Sequence, residues 1–321
     1  MALSTRALEL SKPDPGFMLW EIVQTFWDPA TNPAGFVNLG LAENTIMHDT
    51  LREHIQANFS ARNQDFTYGD SKKILRKVLS RFWNEYFQPF VPVEPCHFTI
   101  TDGCSSALGH LAWSLGNPGD YFLLGRPYYY TFIADITYRM STDIVDPALV
   151  HVIWGTSKDF GANELRLGMI VSQSDPSLHA ALVPVSLYSS SSSLTEQAVA
   201  NFLGDDVWVE KFIKANRQFV AQNHEHVVHW ARENSIPYAT GTNSTFFLWV
   251  TLGFALQKDH VVCPELEQEI MDALLLKKVF LMAGKQFVSK QPGWFRIVFS
   301  HPQRVLDEGL NWITSALNNI H

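Results

Sequence analysis

A hydroxyl, an amine and a guanidinium lie close together in the middle of the sequence. Ser157 and Lys158 occupy a polar loop, and Arg166 follows directly before the apolar run 167–170. A lysine in a polar loop is ordinarily a solvated surface group. Arginine, however, offers forked donors that match a phosphate, a geometry that lysine cannot supply. The grouping makes this stretch the first candidate for a chemical site.

A second candidate is a turn that leads from a predicted strand into a predicted helix. Residues 97–101 predict the strand, residues 105–115 predict the helix, and Gly103, Cys104 and Ser105 lie at the junction. The first turn of a helix has free backbone N–H groups and the positive end of the helix dipole. The junction therefore predicts an anion-binding turn.

Arg296 lies inside an otherwise apolar strand predicted over residues 294–300. Burying a guanidinium costs free energy unless it meets an anion. We therefore expect Arg296 to bind an anionic group.

Apolar periodicity predicts the elements that position these groups. Helices are predicted at 16–27, 50–60, 71–87, 105–115, 206–234, 263–278 and 303–318, and strands at 97–101, 121–124, 151–154, 245–252 and 294–300. The alternation from residue 97 to 124 is typical of a βαβ unit in a parallel sheet. The serines at 189–193 fit either a flexible linker or a capped helix start, and we favour the capped helix.

Composition narrows the class of function. A net charge of −8 gives no reason to expect nucleic acid or an anionic membrane as a partner. No apolar run is long enough to span a bilayer, and the first residues lack a secretory signal. The three cysteines lack the spacing of a zinc site. We expect a cytoplasmic protein with small-molecule chemistry and no metal.

Five stretches together resemble the fold-type I pyridoxal 5′-phosphate (PLP)-dependent class I/II aminotransferase superfamily. They are Ser-Lys with the following Arg-x-Gly at 157–168, the turn at 101–107, Arg-Pro-Tyr-Tyr-Tyr at 126–130, Gly-Leu-Ala-Glu-Asn at 40–44 and Pro-Gly-Trp-Phe-Arg at 292–296. The last two are the most specific, and they are similar to the 1-aminocyclopropane-1-carboxylate (ACC) synthase-like branch.

The resemblance implies PLP as cofactor, held by Lys158 as an aldimine. The implied cofactor contacts are Gly103, Cys104, Ser105, Tyr129, Ser157, Lys158 and Arg166, with Tyr129 stacked on the ring. Glu43 and Arg296 would contact the amino-acid substrate. In the family, a tyrosine reaches the active site of the neighbouring subunit, and Tyr68 would take its place by a shift of one residue. A homodimer is therefore expected.

The resemblance also implies an α/β fold of PLP-transferase type I: a truncated, mainly parallel sheet between helices, plus a smaller α+β domain. The large PLP-binding domain would span 36–213, and the small domain 1–35 and 214–321. Truncation is expected because only 29 positions separate Tyr129 from Lys158, where the family has a further set of βα crossovers. The segment missing near residues 146–151 holds, in the family, the asparagine, aspartate and tyrosine that bind the ring.

Three functions follow from the resemblance. The first is an aminotransferase that acts on an amino acid through Lys158. The second is a PLP-dependent lyase, either ACC synthase-like or a carbon–sulfur lyase, in secondary metabolism. The third is an inactive relative that acts as a dimer partner. In the family, the aspartate of the missing segment keeps the pyridine nitrogen protonated, so that the ring can act as an electron sink, and without it the reaction at Cα should be slow.

Overall fold

The structure of the protein is a computed structural model that describes residues 22–66, 72–117, 123–125, 127–129, 149–186, 189–241, 244–256 and 263–320. The helices are α1 (His48–Asn58), α2 (Lys72–Tyr86), α3 (Gly103–Leu115), α4 (Thr156–Asp159), α5 (Pro176–Ser186), α6 (Ser193–Gly204), α7 (Asp206–Glu233), α8 (Leu252–Leu256), α9 (Pro264–Leu276) and α10 (Gln303–Leu317). The strands are β1 (Val37–Asn38), β2 (Phe98–Asp102), β3 (Val152–Gly155), β4 (Leu167–Val171), β5 (Phe247–Thr251), β6 (Val279–Phe280), β7 (Met282–Ala283) and β8 (Trp294–Val298).

One three-stranded sheet has the order β2-β4-β3, with β4 in the centre. All five residues of β4 are buried. Side chains alternate across a strand, and accordingly Leu167, Met169 and Val171 join an aromatic-rich core on one face. Ile170 joins a smaller cluster on the other face, with residues of α3 and α5. Helices therefore cover both faces of the sheet, as an α/β fold requires.

The prediction of a mainly parallel sheet is wrong for the sheet β2-β4-β3, although the short pair β1-β6 is parallel. β4 pairs antiparallel with both β2 and β3. β2 and β3 consequently run in the same direction, but they are separated by β4 and do not pair. Residues 146–151 leave no room for a crossover helix, and the residues between 130 and 148 lie outside the described part of the chain.

A second core lies around the sheet β5-β8-β7 and the parallel pair β1-β6. Helices α9 and α10 pack on it, and so does the second half of α7. The first half of α7 contributes Val209 and Phe212 to the other core, whereas Val227 and Trp230 belong to this one. Helix α7 thus connects the two cores, as its length and lack of glycine and proline indicate. The predicted domain boundaries at 35/36 and 213/214 stay a prediction.

Most predicted elements are present within a few residues of their predicted ends. The prediction was wrong for Leu123 and Leu124, which lie outside any strand, and for residues 26–27, which are not helical. Helix α5 was not predicted, because its apolar residues show no clear helical face and it contains Pro184. The serine stretch is a helix start, with Ser192 accepting from the Thr195 N–H.

Replacing Gly168 by alanine is expected to destabilise the fold. A Cβ at this position of β4 would lie 2.3 Å from the backbone carbon of Gly103 and 2.6 Å from the Cys104 nitrogen. Neither atom can move without shifting the start of α3. We expect a loss of about 3 kcal/mol in the free energy of unfolding, measured by urea titration.

The matched control is Gly204→Ala, because a Cβ there would meet no atom within 4 Å. Its free energy of unfolding should stay within about 0.5 kcal/mol of the parent. Equal stability of the two variants would contradict the close packing of β4 against α3.

Candidate active site

The candidate site forms at one edge of the sheet β2-β4-β3. In the register, Asp102 lies opposite Leu167, and Gly155 lies opposite Gly168. β2 and β3 therefore end where β4 begins. The residues that follow β2 and β3 and that precede β4 are brought together, so the sheet explains why the Gly103 turn, Lys158 and Arg166 meet.

Arg166 lies directly against the first turn of α3. A Cβ built on Gly103 would be 2.4 Å from its Nη2 atom, and Gly103 has a φ of +76°. Arg166 itself has a left-handed φ of +49°, and its Nη1 donates to the carbonyl of Asn163 at 3.1 Å. Asp102 does not cap the helix with its side chain. A guanidinium and a helix amino terminus thus form one positively charged corner.

Lys158 lies on the helical turn α4, which the sequence predicted as a loop. Its Nζ donates to the carbonyl of Ala42 at 2.5 Å, and its own carbonyl accepts from Asn44 Nδ2 at 3.2 Å. The side chain is exposed in the cleft, but the surrounding protein atoms lower the pKa of the amine, chiefly through desolvation. Glu43 opposes this shift, whereas Arg296 and Arg166 add to it. The environment favours the neutral amine, the form that acts as a nucleophile or base.

Cys104 lies close to Gly155 at this edge of the sheet. A Cβ on Gly155 would lie 2.8 Å from Cys104 Sγ and 2.7 Å from the carbonyl of Leu167. The thiol therefore fills the space that a residue-155 side chain needs. Burial raises the pKa of the Cys104 thiol, although Lys158 and Arg166 act against the rise.

Glu43 is held by two amides that the sequence analysis did not single out. Asn38 Nδ2 donates to Oε2 and Asn163 Nδ2 donates to Oε1, both at 3.3 Å. Asn163 also accepts from Arg166 through its backbone carbonyl, so it connects the carboxylate to the positively charged corner. Asn163 could have been suspected from the sequence, because it lies between Lys158 and Arg166. Asn38 is identified as a site residue only by its tertiary contacts.

Arg296 is 5% exposed and faces the same cleft. Its Nη2 donates to the carbonyl of Gly40 at 2.6 Å, while its Nε has no hydrogen-bond partner among the described residues. Burial lowers its pKa to about 10, with Tyr129 acting in the opposite direction. The guanidinium lies over the rings of Phe287 and Phe247, at 4.6 and 5.2 Å from their centroids. An incompletely bonded, buried guanidinium is suited to a carboxylate.

The other predicted site residues lie in several places. Tyr129 is 46% exposed and is close enough to Arg296 to affect its pKa; stacking on a cofactor ring stays a prediction. Ser157 is half-buried on α4, and Ser105 is exposed on the first turn of α3. Tyr68 lies outside the described residues.

Gly103→Ala is expected to weaken PLP binding by at least about tenfold, because the new methyl group must displace the Arg166 guanidinium. Gly241→Ala is the matched control, since Gly241 has a similar φ of +83° with no atom within 4 Å of its Cβ position. Both variants carry backbone strain of about 1 kcal/mol. Absorbance titration with PLP measures the affinity, and equal affinities in the two variants would show that Arg166 is not needed at this place.

The family model of aminotransferase class I and II matches residues 36–146 and 137–313. The two matched ranges overlap at residues 137–146, next to the segment predicted to be missing. The ACC synthase-like protein 1 of Bos taurus is 23% identical over 433 aligned positions, which cover 97% of this chain and 85% of the relative. More positions are aligned than this chain has residues, so the relative carries segments that this chain lacks.

A second relative is the Mus musculus protein named "Probable inactive 1-aminocyclopropane-1-carboxylate synthase-like protein 2", which is 22% identical over 373 positions. The alignment covers 84% of this chain, but only 63% of the mouse protein's length. Among solved structures, aspartate aminotransferase from Thermus thermophilus with maleate matches with a TM-score of 0.75 and 12% identity, covering 98% of this chain and all of that one. This likeness confirms the predicted fold class.

Two features are absent from the described ranges. No helix in them is long and apolar enough to cross a membrane. The same residues contain no group of three or more histidine, cysteine or acidic side chains placed to hold a metal ion.

Proposed function

This chain belongs to the aminotransferase class I and II family, which is PLP-dependent, and on that premise we propose that it transaminates an amino acid at the site around Lys158. The observation that carries the proposal is the meeting of Lys158, Arg166 and the first turn of α3 at one sheet edge, with Arg296 facing them from β8. These elements are far apart in sequence, and a purely structural role does not require four such groups in one cleft.

The residues present fit the two reactive ends of PLP. Gly103 has no side chain where Arg166 crosses the first turn of α3, which suits a phosphate that accepts from both. The Lys158 amine has a lowered pKa, which suits a bond to an aldehyde carbon. When bound, PLP supplies an electron sink that stabilises negative charge at the substrate Cα.

The side chains of this chain then have separate roles. Arg166 and the amino end of α3 hold the phosphate, assisted by Ser105 and Ser157. Arg296 binds the substrate α-carboxylate through its fork, including the unpartnered Nε. Lys158 would also be the base that accepts the proton from the substrate Cα. Glu43, fixed by Asn38 and Asn163, faces the substrate side chain.

The lyase alternative is favoured by Glu43 and the 292–296 stretch, because the relatives matched are named for ACC synthase. The inactive alternative is favoured by the short connection between Tyr129 and Lys158. We further propose, on the strength of the family resemblance, a cytoplasmic homodimer in which Tyr68 takes part in substrate binding.

One experiment separates these functions. Purified protein loaded with PLP is mixed with single amino acids, and the products are quantified. Keto acid with an equal amount of the pyridoxamine form supports transamination. Ammonia or thiol release without that form supports a lyase. A visible PLP band that no amino acid changes would contradict both enzyme functions.

Glu43→Gln is expected to shift the pH dependence of PLP attachment. Glu43 raises the pKa of Lys158 by stabilising the ammonium, so its neutralisation lowers that pKa further. The pH midpoint of the attachment rate, already below the ordinary lysine value of 10.5, should move to lower pH. Stopped-flow absorbance measures it. Glu53→Gln, on the exposed face of α1, is the control and should leave the midpoint unchanged.

A further inference from the structure

A second pocket lies behind the helical turn that carries Lys158. Its volume is about 600 Å³, and its walls come from α4, from α7 and from residues 244–246. This volume is within the range of small-molecule sites in proteins. Asn44 forms part of the wall, and its Nδ2 donates both to Asn216 on α7 and to the carbonyl of Lys158. The pocket therefore shares a wall with the candidate active site.

The pocket and the candidate active site face different sides of the turn. The charged neighbours of the Lys158 amine are Glu43, Arg296, Cys104 and Arg166, none of which lines the pocket. Lys158 and the next residue, Asp159, both contribute to the pocket wall. Successive side chains on a helical turn project about 100° apart, and the Lys158 amine is bonded to the carbonyl of Ala42. The two spaces therefore adjoin at Lys158 but contain different charged groups.

The polar groups of the pocket suit an anion. Arg217 projects from α7 and forms no hydrogen bond or salt bridge with any described residue. His224, Ser244 and Thr245 add donors around the same space, and Phe246 supplies an apolar wall. The carboxyl of Asp159 is engaged by the Nε1–H of Trp154 at 2.7 Å.

Asp159 and Arg217 interact electrostatically but form no salt bridge. Burial raises the pKa of the Asp159 carboxyl, although Trp154 and Arg217 act against the rise. An unpaired guanidinium beside hydroxyl and imidazole donors is the arrangement that recognises carboxylates. Its planar fork can bind one carboxylate while the neighbouring donors bind a second.

We propose that this pocket binds a small organic polycarboxylate through Arg217, at a site separate from the amino-acid site. The proposal does not require PLP or catalysis. It is tested on the full chain without cofactor, so its outcome and that of the proposed function are independent.

The test is calorimetric titration of citrate at fixed ionic strength, because salt screens such contacts. Arg217→Gln should weaken citrate binding by at least about tenfold, and Arg217→Lys should give a smaller loss because the charge remains without the fork. Lys214→Gln removes the same charge from the same helix outside the pocket, and it should change the affinity less than about twofold.

Arg296→Gln shows which site the citrate occupies, and it should leave the affinity unchanged. The proposal is overturned if wild type binds no citrate. It is also overturned if Arg217→Gln binds as wild type does, or if Arg296→Gln and not Arg217→Gln removes binding.

Discussion

Lys158→Ala protein should show no visible absorbance band from lysine-bound PLP at any cofactor concentration. In the proposed function the Lys158 amine is the group that attaches the aldehyde carbon of PLP. Loss of the base at Cα should also lower any turnover by about three orders of magnitude. Absorbance of the purified variant, with reduction by borohydride and mass mapping of the modified residue in the parent, measures the effect.

Lys77→Ala is the control, because Lys77 is exposed on α2, a helix that carries none of the candidate site residues. It should keep the full band. PLP retained equally by the Lys158→Ala variant, or mapped by reduction to another lysine, would refute the assignment of Lys158.

Arg296→Met should lose affinity for amino acids by about two orders of magnitude. Truncating a buried charge that pairs with a ligand costs about 2–5 kcal/mol, and each 1.4 kcal/mol is about tenfold. The spectral change that amino acids cause in PLP-loaded protein gives the dissociation constant. The attachment of PLP itself should change little, because Arg166 and Lys158 remain.

The stability of the Arg296→Met variant distinguishes a binding role from a structural one. Among the described residues, the guanidinium has one hydrogen-bond acceptor, the carbonyl of Gly40, and its Nε has none. Replacing an incompletely bonded buried charge by an apolar chain of similar length is neutral or stabilising. A large loss of unfolding free energy with unchanged amino-acid affinity would mean that Arg296 is structural. Arg296→Lys should bind amino acids with intermediate affinity, because it keeps the charge without the fork.

The sequence predicted the parts of the site that depend on local pattern. A strand followed by Gly103, a lysine eight residues before an arginine and an arginine in an apolar strand are all visible in the printed chain. Helix α7 and the ends of most elements follow from apolar periodicity, because it reports directly which face of an element is buried. The motifs at 40–44 and 292–296 indicated the branch of the family.

Other features depended on how strands pair, which local pattern does not specify. Apolar runs in buried parallel and antiparallel strands look alike, so the antiparallel pairing of β4 with both neighbours was not predictable from them. The same holds for the amides of Asn38 and Asn163 on Glu43, which come from segments 125 positions apart. No periodicity relates such residues.

The sequence alone identified the residues that could take part in chemistry, because residue type and spacing are local properties. These residues are Gly103, Lys158, Arg166 and Arg296. Only the tertiary structure decided that they meet, because the edge where β2 and β3 end and β4 begins exists only after the strands pair. The tertiary structure also places Gly155 against the thiol of Cys104, a contact that no sequence pattern predicts. The pocket at Arg217 likewise exists only because α7 packs behind the Lys158 turn.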